Sequence, residues 1–242
     1  MSSSSSKNAT TFTYCGHSSV LCTLADGRVL LFEPFLEHNP RCPDALKHPS
    51  RIDAMLMTHA HVDHMGDAVS LAAACAPKAV VANYEICTWL ASKGVRNALG
   101  MNVGGSQTVL GDITVTQVPA IHTSGLEDGG RMIYGGVASG FVVRLPDGFT
   151  FYHAGDTALF SDMRLIADLY APTLAFLPIG DCFTMGPREA AHACRFLGVE
   201  QVVPIHYATF PQLTGTPAAL REALVKRGVT CEIIALEPGE VW

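Results

Sequence analysis

Thr58-His59-Ala60-His61-Val62-Asp63-His64-Met65-Gly66 sets three histidines and a carboxylate within the six positions from His59 to His64. His59 and His61 stand two apart, so in an extended or turning segment their imidazoles project to the same side. Asp63 and His64 follow once the chain bends. That arrangement suits two metal ions. Imidazole and carboxylate are borderline-to-hard donors that favour zinc, iron or manganese over metals that prefer thiolate. The alternative is a polar surface turn, and the flanks argue against it. A run apolar but for Asp53, Ile52 to Met57, reads as an interior strand leading into the motif, and an alanine-rich helix from Gly66 to Cys75 leads out of it. Loops at strand ends are where rigid scaffolds carry active-site residues.

Around this stretch the chain has the composition of one sizeable domain. Hydrophobic residues make up 48% of its 242 residues, enough to bury the core of a single α/β domain over residues 11–242. Lys and Arg number 16 against 22 Asp and Glu, a formal net charge of -6, and no long Lys/Arg run is present. A nucleic-acid partner rests on clustered cations and is not expected. There is no apolar run of about twenty residues, so no membrane span is expected either. Met1 to Lys7 is a serine run with no apolar segment behind it. Residues 1–10 therefore read as a disordered tail rather than a signal peptide. Eight cysteines are scattered without a C-x-x-C pair, which fits packed thiols in a reducing cytoplasm. Cys182, beside Asp181 in an expected site loop, is the one to watch.

Further motifs follow in order: Gly16-His17-Ser18, Pro34-Phe35-Leu36, Met101-Asn102-Val103-Gly104-Gly105, His153-Ala154-Gly155-Asp156-Thr157, Pro178-Ile179-Gly180-Asp181 and Pro204-Ile205-His206-Tyr207. With His59-x-His61-x-Asp63-His64, this series resembles the metallo-β-lactamase superfamily. Within it, the series resembles the branch of small metal-dependent hydrolases related to L-ascorbate-6-phosphate lactonase. The resemblance covers nearly the whole chain from about Phe12. It implies a four-layered αβ/βα sandwich with a one- or two-metal site at one edge. It further implies that His59, His61 and His122 ligate one ion, that Asp63, His64 and His206 ligate the other, and that Asp156 bridges them. A carboxylate has the two acceptor oxygens that bridging needs. The expected cofactors are two divalent metal ions, zinc first, with manganese or iron compatible. Two such ions, about 3.5 to 4 Å apart, would share a water and activate it as the nucleophile. The implied activity is hydrolysis of a small-molecule ester, lactone or phosphoester, with Asp63 also carrying a proton to the leaving group. A non-catalytic metal-binding or ligand-sensing protein on the same fold is the alternative, and the full set of ligands argues against it. Relatives of this branch associate, so a homo-oligomer is expected. Where the resembling proteins have Asp-Pro-Phe, this chain has Glu33-Pro34-Phe35, and a methylene more must be absorbed.

In chain order, Thr11 to Tyr14, Val20 to Leu24 and Arg28 to Phe32 read as an antiparallel meander. His17, in its first turn, is expected to face the site as a catalytic or supporting group. Pro34 to Pro49 is a long polar loop expected to form a lip of the pocket. Ala79 to Ala82 reads as a strand, Tyr84 to Lys93 as a helix, and Gln107 to Leu110 with Ile113 to Val118 as a hairpin leading to His122. Leu126 to Arg131 reads as a glycine-rich hinge loop between two halves. Strands at Gly140 to Leu145 and Phe149 to His153 then lead to Asp156. A helix at Ser161 to Leu169 and a strand at Leu174 to Pro178 follow. Pro187 to Leu197 is a helix opened by proline, and Val202 to Ile205 delivers His206. The last helix opens at Thr216-Pro217 and closes at Gly228, before a final strand from Cys231 to Leu236. His153 is expected to orient a ligand, while His38, His48 and His192 are expected to be solvated or capping groups. Phe160, Phe183, Met185, Tyr207 and Phe210 are expected as apolar lips. Neither half carries every ligand, so the site is expected where the two sheets meet.

Overall fold

Short runs such as Val29-Leu30-Leu31-Phe32 and Leu174-Ala175-Phe176-Leu177 are apolar at every position, and such strands need cover on both faces. A computed structural model, which describes residues 9–242, supplies that cover. In chain order the first sheet contains β1 (Thr11–Tyr14), β2 (Val20–Thr23), β3 (Val29–Phe32), β4 (Ala54–Leu56), β5 (Ala79–Asn83) and β6 (Ala98–Met101). They lie side by side in that order, antiparallel from β1 to β3 and parallel from β3 to β6. The helices of this half are α1 (Asp44–Lys47), α2 (Val62–Met65), α3 (Ala68–Cys75) and α4 (Tyr84–Ser92).

The second sheet repeats the plan. It is built from β7 (Ser106–Val109), β8 (Ile113–Pro119), β11 (Ser139–Arg144), β12 (Thr150–His153), β13 (Leu174–Pro178), β14 (Gln201–Ile205) and β15 (Glu232–Ile233), in spatial order β15-β14-β13-β12-β11-β8-β7. It is antiparallel from β7 to β12 and parallel from β12 to β15. Its helices are α5 (Met163–Tyr170), α6 (Pro187–Leu197) and α7 (Pro217–Arg227). Thr216 caps α7 by accepting from Ala219 N–H at 3.1 Å.

Alternate strand residues divide between three cores. Leu30, Phe32, Leu56 and Val81 from the first sheet meet Phe141, Phe151, Phe176 and Val203 from the second in one central core. Leu31, Met55 and Val80 point the other way, against Ile86 and Leu90 of α4. Tyr152, Ala175 and Val202 pack outward against Ala190, Cys194 and Leu220. The layers are thus helix, sheet, sheet, helix, the expected αβ/βα sandwich. Edge-to-face packing of Phe12 on Phe151, with centroids 5.0 Å apart at 81°, locks the sheets together. No helix among the described residues is long and apolar enough to cross a membrane.

Four expectations change. Leu126 to Arg131 is not a hinge loop. Gly125–Asp128 (β9) and Arg131–Tyr134 (β10) form an antiparallel two-stranded hairpin. Its two-residue turn is Gly129-Gly130, with φ of 59° and 75°, the left-handed values a tight hairpin turn requires. The strand expected over Ile52 to Met57 is confined to Ala54–Leu56, and the last strand, expected from Cys231 to Leu236, to Glu232–Ile233. Ala98–Met101 is an additional strand. The expected tail, residues 1–10, lies outside the described residues except for Ala9 and Thr10.

Candidate metal centre

The residues of the centre sit just past strand C-terminal ends, in the first turn of the meander, or on the short helix that follows β4. His59 and His61 follow β4, His122 follows β8, Asp156 follows β12 and His206 follows β14. Asp63 and His64 lie on α2, one turn after His61. Loops at the carboxyl ends of strands are where open α/β sheets place ligands. The segments are tied together by backbone bonds. Ile121 N–H donates to Thr157 Oγ1 at 3.0 Å and Ala158 N–H to Ile121 O at 3.0 Å, so the His122 and Asp156 loops move as one. His206 N–H donates to His17 O at 2.7 Å, and Tyr14 Oη–H donates to the same oxygen at 2.9 Å.

The expected ligand side chains converge in two groups, and a third set, Glu33 with His59 and His64, overlaps both. His59 Nε2 lies 3.0 Å from His61 Nδ1, and His122 Nε2 lies 3.3 Å from the same nitrogen. His17, Asp63, His64 and His206 form the second group. Asp156 lies between them: Oδ2 is 3.0 Å from His206 Nε2, 3.5 Å from His122 Nε2 and 3.9 Å from His59 Nε2, while Oδ1 is 3.3 Å from His64 Nε2. All seven expected ligands, His59, His61, Asp63, His64, His122, Asp156 and His206, are therefore brought together. His64 Nε2 and Asp156 Oδ1 are buried, yet neither makes a hydrogen bond among the described residues. Buried polar atoms rarely go without a partner. Imidazole nitrogens converging on a shared carboxylate offer what a cation needs, and the donor set fits divalent ions.

Electrostatics prepares the same outcome. Burial lowers the pKa of His59, His61 and His122, which favours the neutral imidazole that ligation requires. Burial also works to raise the Asp156 carboxyl, but the imidazoles of His206 and His64 outweigh it and hold the group well below its usual range. His64 goes the other way. Burial lowers it, but Asp156 and Glu33 on either side raise it well above an ordinary imidazole. Glu33 lies behind the centre, fully buried, and takes three hydrogen bonds. Oε1 accepts from Thr58 N–H at 2.9 Å and Oε2 from Thr58 Oγ1 at 3.1 Å; Oε2 also meets His64 Nδ1 at 2.6 Å. Glu33 adopts φ of 52°, a left-handed backbone unusual outside glycine.

His17 is fully buried, with Nε2 3.1 Å from Asp63 Oδ2 and Nδ1 3.0 Å from Thr209 Oγ1. Burial depresses its pKa to about 4. The expectation for His153 needs correction, because it touches no ligand side chain. It stacks between Phe32 and Phe176 at 5.2 and 5.5 Å, Gly155 N–H donates to its Nδ1, and its Nε2 lies 3.1 Å from Ser18 O. It braces the backbone on either side of the centre instead. Pro34 to Pro49 supplies no lip either: it lines neither cavity at the centre, because Leu36 and Glu37 N–H are pinned on Asp67 Oδ2. Of the expected apolar lips only Phe183 lines the opening, beside exposed Cys182, and Met185 is buried in the core. His38 and His48 are exposed and rest on Asp67 and Glu37.

Fold and site together define a class: a four-layered α/β protein with a histidine- and aspartate-built metal centre at the strand ends. A model of the β-lactamase superfamily domain matches residues 24–207. A UPF0173 metal-dependent hydrolase of Solibacter usitatus is 49% identical over 228 residues, 94% of this chain and 97% of the relative. One from Koribacter versatilis is 45% identical over 230 residues, 95% and 96% of the two chains. Among solved structures, Igni18, a metallo hydrolase from the hyperthermophilic archaeon Ignicoccus hospitalis, matches with a TM-score of 0.85 at 33% identity, over 97% of this chain and 98% of that one. The chain belongs to the metallo-β-lactamase superfamily, among its metal-dependent hydrolases.

Proposed function

We propose that the centre holds two divalent ions and that the protein hydrolyses a small ester, lactone or phosphoester. The observation that carries this is the position of Asp156, whose two oxygens face imidazoles of both groups within 3.0 to 3.9 Å. His59, His61 and His122 would hold one ion and Asp63, His64 and His206 the other, with Asp156 shared. When bound, such ions polarise the scissile group and bring the pKa of water toward neutrality.

The chain's own residues supply the rest. Asp63 is the more exposed carboxylate, with 26% of its side chain open to the cavities, against 3% for Asp156. Its Oδ2 is held by His17, and a carboxylate aimed in this way can take a proton and pass it to the leaving group. His17 is itself fixed by Thr209, so Asp63 is aimed by a chain of two side chains that lie 192 positions apart in the sequence. Such outer partners are worth roughly 10- to 100-fold in activity or metal affinity.

Elemental analysis of protein purified without chelator is expected to find about two transition-metal ions per chain, zinc foremost. A content near zero in folded protein would remove the proposal. His17→Ala is expected to keep both ions but to lower kcat on an ester or lactone by roughly 10- to 100-fold. Loss of an ion in that variant would instead make His17 a ligand.

A further inference from the structure

Beside the metal centre lies a second cavity of about 520 Å³. His61 and Asp63 line both this cavity and the opening of about 710 Å³ that contains His122, Asp156 and His206. The two spaces therefore share a wall made of the centre itself. Apart from Glu127, the side chains of the other walls of the second cavity are apolar: Val62 and Met65 from α2, Trp89 from α4, and Leu126 and Met132 from the β9–β10 hairpin.

The hairpin is fastened over this space. Trp89 Nε1–H donates to Asp128 Oδ2 at 2.8 Å, joining α4 to β9, and Asn83 Nδ2–H donates to Gly135 O at 2.7 Å beyond β10. Gly125 carries no side chain, and a Cβ there would lie 2.7 Å from Met132 Sδ, so the Met132 thioether packs directly across it. Met132 is nevertheless 74% exposed and Val62 71% exposed, on either side of the same mouth. Neighbouring exposed apolar residues rimming a concave site are the mark of a surface built to be covered by a ligand or partner.

Charge decides what kind of ligand. Among the described residues no Lys or Arg lines either cavity, and the acidic side chains along the second are Asp63 and Glu127. Lys93, which lies over the Trp89 ring at 5.3 Å, is tied to Asp128 at 2.8 Å. Away from the ions, phosphate recognition relies on Arg or Lys donors, and a phosphate group lodged in the second cavity would meet Glu127 instead.

We propose that this second cavity receives an apolar acyl substituent of the substrate, and that the protein acts on neutral carboxylic esters or lactones rather than phosphoesters. The inference rests on the hydrolase reading above. In the reaction the oxygen of water bonds the acyl carbon, the acyl–oxygen bond breaks, the alcohol leaves carrying a proton, and the second proton is released from the new carboxylic acid.

The test is calorimetric binding of acetate, butyrate, hexanoate and octanoate to the metal-loaded protein, with inorganic phosphate alongside and turnover of the corresponding p-nitrophenyl esters measured in parallel. Affinity is expected to rise about threefold to fourfold for each methylene that enters the cavity. Met132→Glu is expected to flatten that gradient, while Val225→Glu, at an exposed position on α7, preserves it. The gradient without turnover of any ester or lactone would leave the cavity assignment standing and remove the hydrolase reading. A flat series, or phosphate bound more tightly than octanoate, would overturn the inference. So would a flat series in which Met132→Glu converts an oligomer to a monomer, since the rim would then be a subunit interface.

Discussion

Asp156→Asn is expected to cost the protein one of its two ions and to lower hydrolysis by more than the roughly 10- to 100-fold that loss of an outer partner costs, with the fold intact. The two side chains are nearly the same size, so the packing at this 2%-exposed position survives. What changes is charge and acceptor number. The carboxylate faces His206 and His122 with one oxygen and His64 with the other. The amide keeps one acceptor oxygen and turns a donor toward the remaining nitrogens, which then cannot ligate freely. Two cations left without the anion between them repel across a site that is mostly shielded from water, where screening is weak. Elemental analysis and a melting curve on the same preparation separate the effects. Two tightly held ions with near-normal turnover would show that Asp156 does not bridge.

The seven residues of the expected ligand set were legible in the sequence because the family resemblance fell on histidines and aspartates in motifs that end strands, and the fold brings those residues together. Leu174 to Pro178 and Val202 to Ile205 were legible as strands for a related reason: burial on both faces leaves no polar position, and the run is bounded by turn residues. The hairpin was hidden by its exposure. Arg131-Met132-Ile133-Tyr134 is open to solvent at every position, so no alternation of burial marks it as a strand. The Gly129-Gly130 turn looks like any flexible glycine pair until its register is seen.

The second cavity was hidden more deeply, because Trp89 and Met132 belong to elements that meet only in the folded chain. The hydrogen bond from Trp89 to Asp128 spans 39 positions. No local signal in either segment points to the other. His153 misled for a similar reason. Its proximity to Asp156 in sequence suggested a bond to a ligand, but the strand carries its ring inward between Phe32 and Phe176. There burial keeps it neutral, with its pKa lowered to about 3.

Glu33→Gln is expected to weaken one ion's binding roughly 10- to 100-fold, although Glu33 would touch neither ion. The argument turns on a single proton. Glu33 Oε2 lies 2.6 Å from His64 Nδ1, and a carboxylate there accepts, so Nδ1 carries hydrogen and Nε2 is left with its lone pair directed at Asp156 and the centre. Glutamine keeps the length and shape, and its carbonyl oxygen can go on accepting from Thr58 N–H, the bond now made at 2.9 Å. Its amide nitrogen then faces His64, and two N–H donors cannot share that contact. The imidazole must move its proton to Nε2 to accept from the amide, and a protonated Nε2 cannot ligate. Glu33 is therefore expected to set the tautomer of His64. Nitrogen-15 shifts of the His64 ring in metal-free protein, read at a pH high enough for the ring to be neutral, would report the tautomer directly, and metal titration of the same variant would report its cost. Unchanged affinity together with an unchanged His64 tautomer would show that the ring is oriented by something other than Glu33.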